Sequence, residues 1–232
     1  LNPLKLSERL AAVASFIEKG SVLADIGSDH AYLPCHLVRT GTIERAVAGE
    51  VAKGPYESAV ANVAKEGLSE SITVRLANGI AAIRKEDEVD AVTIAGMGGT
   101  LIADILEEGK AHLQGVKRIV AQPNIHAIAI RSWCLANGWT IVDERILKED
   151  HKIYEILVLE KGQAAFSEIE LLVGPFLLAE KSPVFIEKWV RELEEWQRVL
   201  RAIESAGHSE EAEKRKIQLK EKIEMVGKVL SN

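Results

Sequence analysis

The stretch Val22-Leu23-Ala24-Asp25-Ile26-Gly27-Ser28-Asp29-His30-Ala31-Tyr32 decides the fold of this chain. An apolar run rich in strand formers ends in an acid, then a glycine, then a second acid. The first strand of a nucleotide-cofactor fold stops in this way, because glycine lets the backbone turn tightly and approach a ligand. A dinucleotide site wants G-x-G-x-x-G, three glycines cradling a pyrophosphate at a helix N-terminus. Here Gly27 stands alone and Asp29 takes the place of the second glycine. A carboxylate there repels a pyrophosphate and favours a ligand carrying positive charge, such as an ammonium or a sulfonium.

Working outward, strand and helix patterns alternate over the first ~160 residues. Residues 4–19 read as an amphipathic helix, 21–26 as the first strand and 33–40 as a helix. Strands are expected at 45–50, 72–76, 89–95 and 116–122, helices at 55–66, 101–110 and 127–137, and two final strands at 139–148 and 153–159. This is five β–α units followed by a β-hairpin, a mostly parallel seven-stranded sheet of the α/β class. Ligands in such sheets bind beyond the carboxyl ends of the strands. Every unusual residue falls at such an end: Asp25-Gly27-Asp29, Glu50, Asn78-Gly79, Gly96–Gly99 and Gln122-Pro123-Asn124.

These ends carry the chemistry. S-adenosylmethionine bears both an ammonium and a sulfonium, and Asp29 is placed near the ammonium; the bland alternative is a helix-capping acid. His30 is as readily a surface or capping histidine as a ligand contact. Glu50 can accept both hydroxyls of a ribose, a feature shared with NAD sites. The Asn78 amide can donate and accept at an adenine edge, although Asn-Gly is also a common turn. Three glycines in Gly96-Met97-Gly98-Gly99 expose backbone to a close-packed ligand. Pro123 stiffens the fifth loop, and Gln122 and Asn124 offer amides to a base edge. Arg9, on the first helix, either pairs with a cofactor carboxylate or is a surface arginine.

The bulk numbers narrow the class. The net charge of −6 carries no global nucleic-acid signature, so any RNA site is a local basic patch. The two cysteines, Cys35 and Cys134, read as buried free thiols of a reducing compartment. No apolar run reaches the ~20 residues of a membrane span, and the charged amphipathic N-terminus is not a signal peptide; a soluble cytoplasmic protein is expected. No Cys/His set has metal spacing, and neither G-x-S-x-G nor G-x-x-x-x-G-K-[ST] occurs.

Composition changes at Lys161-Gly162-Gln163, placing a domain boundary between residues 162 and 163. A helix over 166–180, broken at Gly174-Pro175, leads to a long helix whose Ile186, Trp189, Leu193, Trp196, Leu200 and Ile203 step by three and four. A turn over 205–209, with Ser209 as N-cap, joins it to a last helix carrying Leu219, Ile223, Val226 and Leu230. An antiparallel coiled-coil hairpin follows, projecting about 30 Å. Lys214, Arg215, Lys216, Lys220 and Lys222 on it suit RNA, but they alternate with glutamates as in a solvated charged coil.

In combination, residues 23–34, Gly49-Glu50, Asn78-Gly79, Gly96–Gly99, Gln122–Asn124, the N-terminal residues 2–10 and residues 181–189 resemble the bacterial tRNA (adenine-22-N1)-methyltransferases, the TrmK family. The resemblance implies a class I Rossmann-like methyltransferase fold with a C-terminal coiled-coil extension. It implies methyl transfer from S-adenosylmethionine to an adenine N1 in the D-arm region of tRNA. By carry-over, Asp25, Gly27, Ser28, Asp29 and His30 line the methionine side of the cofactor. Glu50 holds its ribose, Asn78 and Gly79 meet its adenine, and Gly96, Met97 and Gly98 face the sulfonium and the target base. Gln122, Pro123, Asn124 and Asp29 are the expected catalytic group, without a metal. The chain is expected to act on tRNA as a monomer, with dimerisation through the hairpin as the alternative. Two other readings stand beside this one: a small-molecule methyltransferase with a dimerising hairpin, and a noncatalytic tRNA-binding protein on the same fold.

Overall fold

Ser7 opens the chain's first helix by accepting the Leu10 N–H at 3.2 Å. This helix, α1 (Glu8–Ala14), is shorter than the expected 4–19, because tight turns at Phe16 and Ile17 close it. The structure is a computed structural model that describes residues 5–163, 165–205 and 209–231. Leu4 and the motif residues 2–3 thus lie outside the described residues. Then follow β1 (Val22–Ile26), α2 (Tyr32–Arg39), β2 (Arg45–Glu50), α3 (Lys53–Lys65) and β3 (Ile72–Leu76). The chain continues through β4 (Ala91–Gly98), α4 (Gly99–Glu108), β5 (Arg118–Ile125), α5 (Ala127–Asn137), β6 (Trp139–Glu149) and β7 (Lys152–Lys161).

The seven strands form one sheet in the order β3-β2-β1-β4-β5-β7-β6. The first five are parallel; β7 runs antiparallel to β5, and β6 antiparallel to β7. Leu23, Ala24 and Ile26 of β1 and Val92 and Ile94 of β4 are buried, as strands covered by helices on both faces must be. The strand order reverses between β1 and β4, which opens the ligand crevice of an open α/β sheet.

Two departures from the sequence reading shape that crevice. The third β–α unit has no α-helix: β3 returns to β4 through 3-10 turns at Gly79–Ala82 and Lys85–Asp87. An Arg75–Asp87 pair fastens this connection (Nη2 to Oδ1, 2.7 Å), and Asp87 also accepts the Arg84 N–H. The second departure is that β4 and β5 run on past their expected ends. Met97 pairs with Pro123 and Gly98 with Ile125, with register shifts that accommodate a proline lacking its N–H.

Behind the crevice a buried Arg131 ties α5 to the terminal hairpin. Its Nε and Nη2 reach Glu144 Oε1 at 2.9 and 2.7 Å, and Nη2 reaches Glu155 Oε2 at 2.7 Å. The sequence reading placed Arg131 within a helix and singled out none of the three.

The chain divides into two compact units, residues 1–165 and 166–232. In the second, Ser167 and Glu170 cap α6 (Glu168–Val173) reciprocally, and Gly174, at φ 95°, breaks to α7 (Pro175–Glu180). Then come α8 (Pro183–Ser205) and α9 (Glu210–Ser231). They lie antiparallel: Lys181 Nζ donates to the Val229 carbonyl at 3.1 Å, Lys222 sits 5.9 Å from the Trp196 ring, and Lys220 pairs with Glu204 at 3.4 Å. Trp189 packs 6.1 Å from Trp196 and 6.2 Å from Phe185. Ser209 caps α9 by accepting the Ala212 N–H at 3.1 Å, while residues 206–208 of the expected turn lie outside the described residues. Among the described residues, no helix is long and apolar enough to cross a membrane.

Candidate active site

At the end of β1, Gly27 takes φ 68° and donates its N–H to the Gly49 carbonyl at 2.9 Å, clamping the loop to β2. A Cβ on Gly27 would overlap the Met97 methyl, so β4 leans its methionine over this turn. Asp25 lies beneath, 4% exposed. Its carboxylate accepts the Ser28 hydroxyl at 2.5 Å and the Thr93 hydroxyl at 2.6 Å. Burial pushes Asp25 up from 3.8 to about 6; the two hydroxyls pull it back in part, and the charges of Glu50 and Asp29 push further upward.

The next three residues are unusual. Asp29, His30 and Ala31 all have positive φ, at 38°, 66° and 55°. Each such non-glycine residue costs about 1–2 kcal/mol, least for Asp, and persists only where its surroundings fix it. Two side chains do so. Glu50, at the end of β2, accepts the Asp29 N–H at 2.6 Å, and Asn62 on α3 donates Nδ2 to the His30 carbonyl at 2.7 Å. Burial raises the Glu50 carboxyl above its ordinary value, against the Asp29 N–H, which lowers it. Ala31, not Asp29, is the N-cap of α2, and no side chain caps that helix. Asp29 keeps an exposed carboxylate 3.6 Å from the His30 imidazole, whose ring stacks on Tyr32 at 5.3 Å.

Across the crevice, Gln122 is fully buried and organises β4 against β5. Its Oε1 accepts from Arg9 Nη1 and from the Gly96 N–H, the latter at 3.0 Å. Both partners only donate, so Nε2 must face the other way, and it donates to Asn124 Oδ1 at 3.3 Å. Asn124 Nδ2 in turn donates to the Gly96 carbonyl at 2.8 Å. One donor–acceptor sequence therefore sets both amides. Arg9 also lies 5.4 Å from the Tyr154 ring, and its backbone N–H is held by Glu149 at 3.2 Å.

A cavity of about 310 Å³ opens among these loops. Of the expected site residues, Asp25, Gly27, Ser28, Asp29, Gly96, Met97 and Arg9 line it. Glu50 braces its Asp29 wall, and Gln122 and Asn124 brace its Gly96 wall, without lining it. His30 stands at the rim beside Tyr32. Asn78 and Gly79 lie beyond Glu50, at the opening 3-10 turn after β3, and Gly98 and Pro123 pair β4 to β5 outside the cavity. The sequence reading missed Leu10, Tyr32, Leu33 and Ala95 in the lining and Thr93 beneath it. Thr93 left a signal, a lone hydroxyl inside the apolar run 91–95.

The family model described as tRNA (adenine(22)-N(1))-methyltransferase, TrmK, matches residues 23–228. The chain belongs to the TrmK family. Among curated members, the tRNA (adenine(22)-N(1))-methyltransferase of Bacillus subtilis is 47% identical and covers 100% of both chains. The crystal structure of the B. subtilis family member superposes with a TM-score of 0.93 at 45% identity, covering 98% of this chain and 99% of that one. A Streptococcus pneumoniae member solved in complex with S-adenosyl-L-methionine gives 0.89 at 48% identity, covering 97% and 100%.

Proposed function

We propose that this chain transfers the methyl group of S-adenosylmethionine to N1 of adenine 22 in tRNA. The observation that carries this is full-length kinship with a tRNA (adenine(22)-N(1))-methyltransferase, in a chain whose strand ends form one acid-lined cavity. The residues fit the methyl donor. Asp25 and Asp29 present carboxylates to a cavity wall, and Arg9 presents a guanidinium, the complement of a ligand bearing ammonium, sulfonium and carboxylate. Burial lifts the Asp25 carboxyl to about 6, so a cation beside it favours the ionised form.

When bound, the donor supplies an electrophilic methyl group on sulfonium. The chain supplies positioning. Asp29 takes the ammonium, the unused donors of Arg9 take the carboxylate, and Glu50 accepts the ribose hydroxyls while it holds the Asp29 N–H. Asn78 and Gly79 meet the adenine edge. Gly96, Met97 and Gly98 pass close to the sulfonium, with the two glycines leaving backbone accessible on either side of the Met97 side chain. Adenine N1 has a free in-plane lone pair, so no proton has to leave before it attacks the methyl carbon. In-line geometry and exclusion of water then carry the rate. The target base must be extruded to reach the crevice. Asn124, exposed at the end of β5, orients it, whereas Gln122 is buried and acts through Asn124 and Gly96. The methylated ring is cationic near neutral pH, and the Gly96–Gly98 carbonyls and Asp29 face that developing charge.

The helical unit grips the tRNA away from the reacting base, and the chain works as a monomer in the cytoplasm. Incubating unmodified tRNA with labelled S-adenosylmethionine and digesting to nucleosides tests the activity. One equivalent of 1-methyladenosine, lost when A22 of the tRNA is replaced, is expected; label in any other nucleoside, or none, refutes it.

A further inference from the structure

We infer that Asn62 is a positioning residue for the methyl-donor site, acting through the left-handed loop that carries Asp29. The inference rests on the cofactor reading given above. Asn62 lies on α3, outside the strand-end loops and away from the cavity lining. Its Nδ2 crosses to the His30 carbonyl at 2.7 Å, 32 residues back along the chain. A carbonyl only accepts, so the amide orientation is fixed.

That carbonyl belongs to the middle residue of the run Asp29–His30–Ala31, with φ of 38°, 66° and 55°. No glycine relieves any of the three, and α2 begins without a side-chain cap. Left alone, this segment would relax toward ordinary negative φ, and the Asp29 carboxylate would swing away from the cavity. Two side-chain hydrogen bonds oppose that relaxation, one at the first residue of the segment and one at its middle residue. Glu50 holds the Asp29 N–H, and Asn62 holds the His30 carbonyl. Glu50 is itself engaged by the ribose in the cofactor reading, so its hold on Asp29 is shared. Asn62 has no such second duty, which makes it the dedicated brace. For its own helix it is a poor choice: asparagine in a helix is less favourable than alanine. A purely helical role would make Asn62→Ala neutral or stabilising, with no effect on ligand affinity.

The test uses S-adenosylhomocysteine as calorimetric probe, and amide hydrogen exchange over residues 28–32, on the full chain. Asn62→Ala and the near-isosteric Asn62→Leu should each weaken S-adenosylhomocysteine roughly fivefold, the loss of one neutral hydrogen bond that favours the binding-competent loop. The Asp29 amide should exchange faster in the absence of ligand. KM for S-adenosylmethionine should rise in parallel while kcat at saturation holds. Placing Ala31→Gly in the Asn62→Ala background should recover most of the affinity, because glycine adopts positive φ without strain. Unchanged affinity in both Asn62 variants overturns the inference. So does a loss that Ala31→Gly leaves unrepaired, since the effect would then travel by another route. A parent protein that fails to bind S-adenosylhomocysteine sinks the cofactor reading first, and the role of Asn62 with it.

Discussion

Asp25→Asn isolates the most perturbed acid in the crevice, and its effect on folding has a definite sign. The Asp25 carboxyl is displaced from 3.8 in the unfolded chain to about 6 in the folded one. Burial dominates, since the residue is 4% exposed. Below pH 3.8 the group is protonated in both states and its burial as a neutral acid is inexpensive. Between 3.8 and about 6 the unfolded chain releases the proton while the folded chain keeps it. The folded state binds more protons there, so stability falls as pH rises. Once the pH passes the folded value, the whole displacement has been charged against folding, about 3 kcal/mol.

Asparagine keeps the shape and removes the charge, and one of the two hydroxyls, Ser28 or Thr93, turns to accept from its amide. Denaturant unfolding of both proteins from acid to neutral pH is the assay. Titrating groups not coupled to Asp25 cancel in the difference. Wild-type stability minus variant stability should drop by about 3 kcal/mol on going from below pH 3.8 to above 6. A flat difference would show that Asp25 is hydrated or neutralised in the folded chain, and would remove the physical basis for a cation site there. The same variant should weaken S-adenosylmethionine at neutral pH, and wild-type affinity should rise with pH through about 6 as the carboxylate ionises.

Further outcomes follow from single contacts. Gly99→Ala should destabilise the fold by more than about 2 kcal/mol in denaturant unfolding, because the new Cβ would lie 2.6 Å from the His126 carbonyl carbon and 3.0 Å from the Ile125 oxygen, backbone that cannot rotate away. Gly27→Ala should cost less, about 1–2 kcal/mol, since the Met97 methyl can move and only the φ of 68° is strained. Arg131→Met should lose about 3–5 kcal/mol by removing the guanidinium that two buried glutamates share, and adding Glu144→Leu with Glu155→Leu should restore most of it in the same assay. Asn124→Ala should slow single-turnover methylation about tenfold to a hundredfold with normal tRNA affinity, as expected for loss of base orientation. Deleting residues 183–232 should weaken tRNA binding in filter assays by about tenfold or more while S-adenosylhomocysteine affinity stays, and equal tRNA affinity would detach the hairpin from RNA recognition.

Where a segment announces its own ends, the sequence was enough. β2 and β3 begin and stop at the residues read from Arg45–Glu50 and Ile72–Leu76, and α5 runs from Ala127 to Asn137, closed by Gly138 at φ 69°. β4 and β5 overran their reading because glycines and a proline look like terminators locally, while pairing across bulges carries both strands onward. The site divides in the same way. Asp25, Gly27 and Asp29 were legible because acids and a glycine at a strand end conflict with an ordinary strand. Arg9 was ambiguous from sequence, and the fold resolves its surroundings by placing Gln122, 113 residues away, against its guanidinium. Asn62 and Arg131 were illegible for a related reason. Each is a polar residue on a helix with nothing unusual beside it, and its meaning lies in a partner that only the tertiary fold delivers.

Several locally unfavourable features of the first unit gather at one edge of the sheet. The buried carboxylate of Asp25 near the end of β1, three consecutive left-handed residues and the close backbone crossing at Gly99 all sit at the carboxyl ends of the strands, around the point where strand order reverses. Nothing in the regular body of the sheet requires them, and a sequence selected for stability alone would replace Asp25 with an apolar residue and Ala31 with glycine. A ligand with fixed positive charge changes that balance. It offsets the cost of burying the ionised Asp25, and it is met by Asp29 only while the left-handed loop holds. Binding is thus coupled to the two terms that weaken the free protein, and the bound state should gain more stability from a sulfonium than from its neutral thioether counterpart. Comparing the unfolding midpoint shifts produced by saturating S-adenosylmethionine and S-adenosylhomocysteine, at pH values on either side of about 6, separates charge recognition from shape: a charge-coupled site gives a gap between the two ligands that widens as Asp25 ionises, and a gap independent of pH would assign the recognition to contacts other than Asp25.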